Sequence, residues 1–172
     1  IAIVGESECQ ISARSFEASG FGPQVASSTG VSIDEWISHN AGYRASKIQT
    51  CAAVHCLIAK AIGAGKVSPA SGTGVGITLD TEDCTIDSLV AWGNTQNGLW
   101  SSRDGCRNGH IRRLSCGDNL GVADIDIFDT GSDPSGGPFS MSIDDARFAT
   151  LSATLSGLTI VNNTTKGHEG FL

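Results

Sequence analysis

Residues 86–102, IDSLVAWGNTQNGLWSS, repeat the order of residue types found in residues 33–46, IDEWISHNAGYRAS. Each stretch opens on an apolar residue, continues with two polar residues and a large apolar one, and reaches a small residue before an Asn and a Gly turn. A second run led by an apolar residue follows the Gly in both stretches. Because the two stretches share a pattern but few residues, they predict a structural repeat in which equivalent positions have equivalent roles.

The pattern recurs along the chain at unequal intervals. Upstream, ARSFEASGFG at residues 13–22 aligns Phe16 with Trp36, and the last interval holds either two units or one unit with an insertion at residues 130–140. Units this short cannot bury an apolar face alone, so they are expected to stack on one another. The predicted opening positions of the units are Ile33, Ile58, Ile86, Ile111 and Leu155.

Composition favours short strands and many turns in a single domain over residues 1–172. Glycine is abundant, with 22 residues, and only 17% of residues are charged. Asn or Gly at the turns, with alternating residues on either side, predicts an all-β parallel solenoid in which aligned Asn side chains form hydrogen-bonded ladders. The pattern is cut at both ends of the chain, which suggests a segment of a longer polypeptide.

Two segments depart from the simple repeat. Residues 48–65, IQTCAAVHCLIAKAIGAG, are rich in Ala and also fit an amphipathic helix, although Ile58 at an opening position favours a strand. Residues 66–74 and 130–140 are rich in Pro, Gly and Ser and are predicted excursions, which in solenoids often form the walls of a binding groove.

The unit CTIDSLVAWGNTQNGL at residues 84–99 resembles the coils of the pectin-lyase-like group, and the resemblance covers about residues 10–172. It implies a right-handed single-stranded parallel β-helix of about six to seven coils. The group includes pectate lyases, polygalacturonases, uronan epimerases and phage tailspikes. The strings NTQNG and GHI match polygalacturonase motifs only in part and lack their acids, so no catalytic residue is transferred from that family.

The resemblance also implies a function and a setting. It favours a polysaccharide-binding and polysaccharide-cleaving protein, a glycoside hydrolase or lyase, that is extracellular or virion-associated. A homo-oligomer, a trimer among the possibilities, or the remainder of a larger chain is the expected partner. The alternatives are a carbohydrate-binding or receptor-binding module without catalysis, and a purely structural solenoid segment.

The acidic stretch GVADIDIFDTGSD, residues 121–133, is the first candidate catalytic site. Asp124 and Asp126 are two residues apart, so alternation in a strand puts them on one face. Two adjacent carboxylates can act as a general acid and a base or nucleophile in glycoside hydrolysis. Asp129 and Asp133 extend the cluster, which could instead hold Ca²⁺, the one cofactor considered. The alternative is a solvated strand face without chemistry.

The basic stretch GHIRRLS, residues 109–115, is the second candidate. His110 and Arg112 are candidate catalytic residues, and Arg113 is a candidate substrate-binding residue together with Asp87 on the preceding unit. Arg binds carboxylates, and a nearby base could remove the proton next to a uronate carboxylate. The alternative is a structural ion pair between Asp87 and Arg112 on neighbouring strands.

Tryptophans supply the remaining candidate residues. Trp36 is expected in the core, whereas Trp92 and Trp100 fall on outward positions. An exposed indole can stack on a sugar ring, so both are candidate substrate-binding residues. The alternative is that they cover the edge of a coil or contact another subunit.

Charge and cysteine content limit the remaining function classes. A net charge of −7 argues against a nucleic-acid partner and against an anionic membrane surface, and no apolar run is long enough for membrane insertion. The six cysteines contain no C-x-x-C pair, which disfavours zinc. Cys56, Cys84 and Cys116 fall on small interior positions and are predicted to be buried free thiols, with disulfides or a catalytic thiol as alternatives.

Overall fold

The structure, a computed structural model, describes residues 1–78, 81–102, 106–121, 123–128, 139–153 and 157–163. It is an all-β structure of two parallel sheets. Sheet 1 consists, in spatial order, of β1 (Ala2–Val4), β3 (Gln24–Ala26), β5 (Ser46–Gln49), β7 (Val75–Thr78), β9 (Leu99–Ser102), β12 (Ile125–Phe128) and β14 (Leu151–Ala153). Sheet 2 consists of β2 (Gln10–Phe16), β4 (Ser32–His39), β6 (Ala52–Ile62), β8 (Thr81–Trp92), β11 (Gly109–Gly117), β13 (Met141–Arg147) and β15 (Leu158–Asn163), and the short β10 (Cys106–Arg107) also pairs with β8.

The chain alternates between the two sheets. Each strand of sheet 1 is followed by a strand of sheet 2, and each strand pairs in parallel with its equivalents in the preceding and following units, as β4 does with β2 and β6. The prediction of an all-β fold with parallel strands is confirmed. Residues 48–65 contribute to β5 and β6, so the helical alternative was wrong. No helix in the described ranges is long and apolar enough to cross a membrane.

The register of sheet 2 confirms most of the predicted isoleucine column. Ile33, Ile86 and Ile111 share one column, which Ile11, Ile143 and Ile160 extend. Two alignments were wrong. Cys56, not Ile58, occupies the column in β6, and Trp36 aligns with Ala13 rather than with Phe16. The last predicted opening position, Leu155, lies outside the described residues.

The misplacement of Ile58 has a physical cause. The column residue is followed by two outward residues, not one, before the next inward position, as in Ile86, Asp87, Ser88 and Leu89. In β6 these two outward residues are apolar, Leu57 and Ile58. Ile58 is therefore an apolar residue in an outward position, and the sequence pattern does not distinguish it from a core residue.

The core is formed by the inward side chains of both sheets, which make one hydrophobic cluster. Trp36 is 0% exposed, as predicted, and the isoleucine column lies beside it. Fully burying one isoleucine side chain stabilises the fold by about 1.5–3 kcal/mol. The inward columns therefore account for much of the driving force that stacks the units.

The turns that follow the strands of sheet 2 use left-handed backbone. Asn40, Gly63 and Gly93 have φ values of 52°, 67° and 62°. Gly adopts this conformation without strain, and Asn tolerates it better than most residues. The corners after β2 and β11 have the same backbone at Glu17 and Asp118, with φ values of 51° and 52°, so the turn out of sheet 2 adopts this conformation even where the residue is neither Asn nor Gly.

Two asparagines form the predicted side-chain ladder. Asn94 Nδ2 donates to Asn119 Oδ1 at 2.9 Å and to the Ala61 carbonyl at 3.1 Å. Asn119 Nδ2 in turn donates to the Ala91 carbonyl at 3.1 Å. Each carboxamide thus connects its own turn to a neighbouring one, and it satisfies buried carbonyl groups that the strands leave unpaired.

All six cysteines are free thiols, and five of them are buried. Burial raises the pKa of Cys56 and of Cys106 to about 12. Burial also raises the pKa of Cys84 and of Cys116 well above the usual value. The prediction of buried free thiols at Cys56, Cys84 and Cys116 is confirmed, and these thiols are poor nucleophiles because the thiolate is the reactive form.

We expect only Cys9, which is half-buried, to react rapidly with a disulfide reagent such as Ellman's reagent in the native protein at mildly alkaline pH. The other five thiols should react only after denaturation, since folding removes both solvent access and thiolate character. Stopped-flow absorbance measures the two phases. Cys9→Ser should abolish the fast phase alone, and several rapidly reacting thiols in that variant would contradict the buried positions.

Candidate functional site

The outer face of sheet 2 brings together five of the nine predicted site residues. Asp87 and Trp92 lie on β8, and His110, Arg112 and Arg113 lie on β11. The two strands pair in parallel with Ile111 beside Ile86 and Arg113 beside Ser88. Residues from two separate stretches of sequence therefore meet on one surface.

A row of charges runs across the strands at one side of this face. Asp87 Oδ1 lies 3.3 Å from Arg112 Nε, and Asp87 Oδ2 lies 3.3 Å from His55 Nε2. His110 Nε2 lies 2.9 Å from Asp144 Oδ2. The predicted ion pair between Asp87 and Arg112 is confirmed, and both histidines of the row have an acidic partner on a neighbouring strand.

Sequence reasoning missed His55 and Asp144. His55 precedes Cys56 in β6, the strand whose register was misassigned by two residues. Asp144 follows Ile143, which continues the isoleucine column in the interval where the number of units was ambiguous. The correct register would have shown both residues. His55 aligns with Thr85 and His110 in one column, and Asp144 follows Ile143, which aligns with Ile111.

A groove of about 810 Å³ lies beside this row of charges on the same face. Its lining comes from five successive strands of sheet 2, namely β6, β8, β11, β13 and β15. Neighbouring strands are about 4.8 Å apart, so four steps extend the groove over about 19 Å along the stack. The polar and aromatic side chains that define it are Lys60, Trp92, Arg113, Asp145, Arg147 and Asn162.

The groove combines an indole with positive charge. Trp92 is half-buried, as expected for an outward position, and its ring occupies the space that a side chain at Gly117 would need. Lys60, Arg113 and Arg147 contribute three cationic groups. The one acidic group in the lining, Asp145, accepts a hydrogen bond from Asn162 Nδ2 at 2.9 Å. A chain of net charge −7 therefore carries a locally positive groove.

Two other predicted residues lie on the outer face of sheet 1. Trp100 on β9 and Asp126 on β12 are neighbours in register and line a separate cavity of about 240 Å³. Arg44 Cζ lies 5.1 Å from the centroid of the Trp100 ring. Asn97 Nδ2 donates to Asp126 Oδ2 at 2.8 Å. The excursion at residues 66–74 contributes to the cavity wall through Ser71 and Thr73.

Asp124 is buried, and both oxygens of its carboxylate accept hydrogen bonds. It is 2% exposed, and Asn119 Nδ2 donates to its Oδ1 at 2.9 Å. The backbone amides of Ala149 and Thr150 donate to its Oδ2 at 2.9 and 3.2 Å. Oδ1 thus stabilises the turn before β12 from within, and Oδ2 connects that turn to the turn before β14.

The expected pairing of Asp124 with Asp126 is not seen in their contacts. The two carboxylates share no hydrogen-bond partner among the described residues, and only Asp126 lines the cavity. A solvated strand face does not describe them either, since Asp126 is only 9% exposed. Asp129 and Asp133 lie outside the described residues. Within the part of the chain that is described, no group of three or more His, Cys, Asp or Glu side chains could hold a metal ion.

Comparisons of the chain with family models, with curated proteins and with solved structures gave no match. Neither outer face can therefore be assigned a ligand by transfer from a relative. The chemistry of the side chains on each face is the basis for assigning function.

Replacing Asp124 with Ala should lower the free energy of unfolding by about 2–4 kcal/mol, because each of the buried donors that loses its acceptor costs about 1–3 kcal/mol. Urea denaturation followed by circular dichroism measures the loss. Asp34→Ala is the matched control, since the hydrogen bonds that the Asp34 carboxylate accepts from Gln10 Nε2 are exposed to solvent. Equal losses in the two variants would contradict the structural role of Asp124.

Proposed function

We propose that this chain is a right-handed parallel β-helix of the pectin-lyase-like kind and that it binds a polysaccharide along the outer face of sheet 2. Support for the β-helix comes from the strict alternation of the chain between two sheets whose pairings are all parallel. Connections between parallel strands are right-handed in nearly all proteins, which supports the proposed hand. Polysaccharide binding fits a surface built from repeated units, because a polymer also presents its groups at repeated intervals.

The groove across five strands is the observation that carries the proposal. Its length of about 19 Å suits an extended chain rather than a compact small molecule. Its volume of about 810 Å³ lies in the range typical of ligand sites. The long axis follows the stacking direction, so each unit adds one set of outward side chains along the bound polymer.

The side chains favour an acidic polysaccharide. The Trp92 indole offers an apolar surface and a polar edge, a combination suited to a sugar ring. Arg113 and Arg147 can form paired, charge-assisted hydrogen bonds with carboxylates, and Lys60 adds a third positive charge. The lining has three cationic groups and one acidic group, so the carboxylates of a uronate-containing polymer would meet an excess of positive charge that a neutral polymer would not use.

We also propose that further protein chains, or the remainder of a longer chain, pack against this one, and that the protein is extracellular or virion-associated. The outermost strands of sheet 2, β2 and β15, carry exposed apolar side chains, among them Phe16 and Val161, each 64% exposed. An unpaired strand edge readily accepts another strand. A homo-oligomer, including a trimer, or the remainder of a longer chain would cover these edges.

Isothermal titration calorimetry should detect binding of a uronate polysaccharide, and a neutral polysaccharide of similar length should bind more weakly. Arg113→Gln should weaken binding by about tenfold or more, since a charge-assisted hydrogen bond contributes about 1.5–3 kcal/mol. Trp92→Ala should also weaken binding, because it removes the apolar surface on which a sugar ring would pack. Raising the salt concentration should reduce the effect of Arg113→Gln.

The matched control is Arg14→Gln, because Arg14 lies on the same sheet, forms an ion pair with Glu35, and does not line the groove. It should leave the affinity unchanged. An affinity for the uronate polymer that is insensitive to Trp92→Ala and to Arg113→Gln would remove the groove as the binding site.

Cleavage of the bound polymer is a second candidate function, favoured by the close contact between His110 and Asp144 beside the groove. The carboxylate of Asp144 orients the imidazole, which could accept the proton next to a uronate carboxylate. Arg112 is paired with Asp87 on β8, so Arg113, which lines the groove, is the residue that can bind the uronate carboxylate and stabilise the negative charge that forms on it. Elimination would then form a C=C bond, break the bond between the neighbouring carbon and the glycosidic oxygen, and release the next sugar as an alkoxide that takes a proton from water, leaving an unsaturated uronate.

Release of unsaturated uronate is measured by its ultraviolet absorbance. If the protein is a lyase, His110→Ala should abolish release while preserving binding of the polymer, because His110 is not in the groove lining. His39→Ala is the control, since His39 lies at the far end of β4. No release by the unaltered protein from any uronate polymer would leave binding without cleavage.

A further inference from the structure

The cavity on the outer face of sheet 1 has opposite charges on its walls. Arg44 contributes a guanidinium group and Asp126 contributes a carboxylate that is 9% exposed. Asp126 Oδ2 accepts from Asn97, whereas Oδ1 receives no hydrogen bond from the described residues. A buried carboxylate oxygen that faces a cavity in this way is an acceptor position for a ligand.

Trp100 determines where the guanidinium lies. The indole packs over Gly76, and a side chain at that position would overlap with the ring. Arg44 lies over the ring with Cζ 5.1 Å from the centroid, which is a cation–π contact. Trp100 is half-buried and lines the cavity, and its contacts with Gly76 and with the guanidinium hold Arg44 at the cavity wall.

The guanidinium of Arg44 and the carboxylate of Asp126 share the cavity but are not paired with each other within ion-pair distance. Among the described residues, no carboxylate forms an ion pair with Arg44. Lys47 lies in the same outward column as Gly76 and Trp100. Its pKa is lowered by burial and by the charge of Arg44, which is the effect expected where two cations are held close together.

Charge and size restrict the ligand. A simple anion would bind Arg44 but meet Asp126, and a simple cation would bind Asp126 but meet Arg44. A molecule with a carboxylate at one end and an ammonium at the other satisfies both groups, and Gln96 can hydrogen-bond a remaining polar atom. The volume of about 240 Å³ is just below the range of sites for drug-sized ligands, and so it suits a small metabolite.

We propose that this cavity binds a small zwitterion of the α-amino acid class, with its carboxylate on Arg44 and its ammonium on Asp126. The site is independent of the polysaccharide groove, because it lies on the other sheet and shares no lining residue with it. A polysaccharide-binding protein with this cavity would thus sense or carry a second, chemically different ligand.

The test is calorimetric titration of the whole chain with L-serine, L-alanine and L-glutamine. N-acetyl-L-serine lacks the ammonium and L-serine methyl ester lacks the carboxylate, so each should bind at least about tenfold more weakly than L-serine, as expected for loss of one charge-assisted contact. Asp126→Asn and Arg44→Gln should weaken L-serine binding to a similar extent. Arg14→Gln, on sheet 2, should have no effect.

Circular dichroism and urea midpoints establish that the variants are folded, and both variants should still bind a uronate polymer if the groove on sheet 2 functions as proposed. No heat from any of the three amino acids at millimolar concentrations would overturn the zwitterion site. Glucose binding that exceeds L-serine binding, or L-serine binding that survives both charge substitutions, would overturn it as well.

Discussion

The structure depends on parallel main-chain hydrogen bonding between successive units in a constant register. Each unit crosses sheet 1 once and sheet 2 once, and both crossings pair with the same neighbouring units. The register aligns inward side chains into columns, of which the isoleucine column of sheet 2 is the clearest. A slip of one residue in any strand would expose that column and bury charged residues, so the packing of the core and the pairing of the strands enforce one another.

The same register builds the outer faces. Because outward residues also align in columns, a groove that crosses five strands needs only one or two suitable side chains from each. The two faces differ because their columns differ. Sheet 2 presents cations beside an indole along the stack, whereas sheet 1 presents a compact pocket in which Gly76 makes room for Trp100 and Trp100 supports Arg44.

The sequence indicated which residues are candidates for a site, but it did not indicate which of these residues lie together in the fold. Trp92 and Trp100 were both recognised as outward, but they lie on different sheets and in different surroundings. Asp124 and Asp126 are two residues apart, yet one secures a turn and the other lines a cavity. Local spacing could not separate these roles, because the partners that distinguish the two carboxylates, Thr150 for Asp124 and Asn97 for Asp126, are 26 and 29 residues away in the chain.

By itself, the sequence determined the all-β architecture, the parallel strands, most of the isoleucine column, the buried thiols and the Asn ladder. These features follow from residue type and from short-range spacing, and the spacing is repeated from unit to unit. Only the tertiary structure decided the register of β6, the partners of His55 and His110, and the cavity that contains Arg44. The physical reason is that a contact between neighbouring strands joins units of different length. Insertions, and outward apolar residues such as Ile58, prevent the sequence alone from showing which residues of two strands are paired.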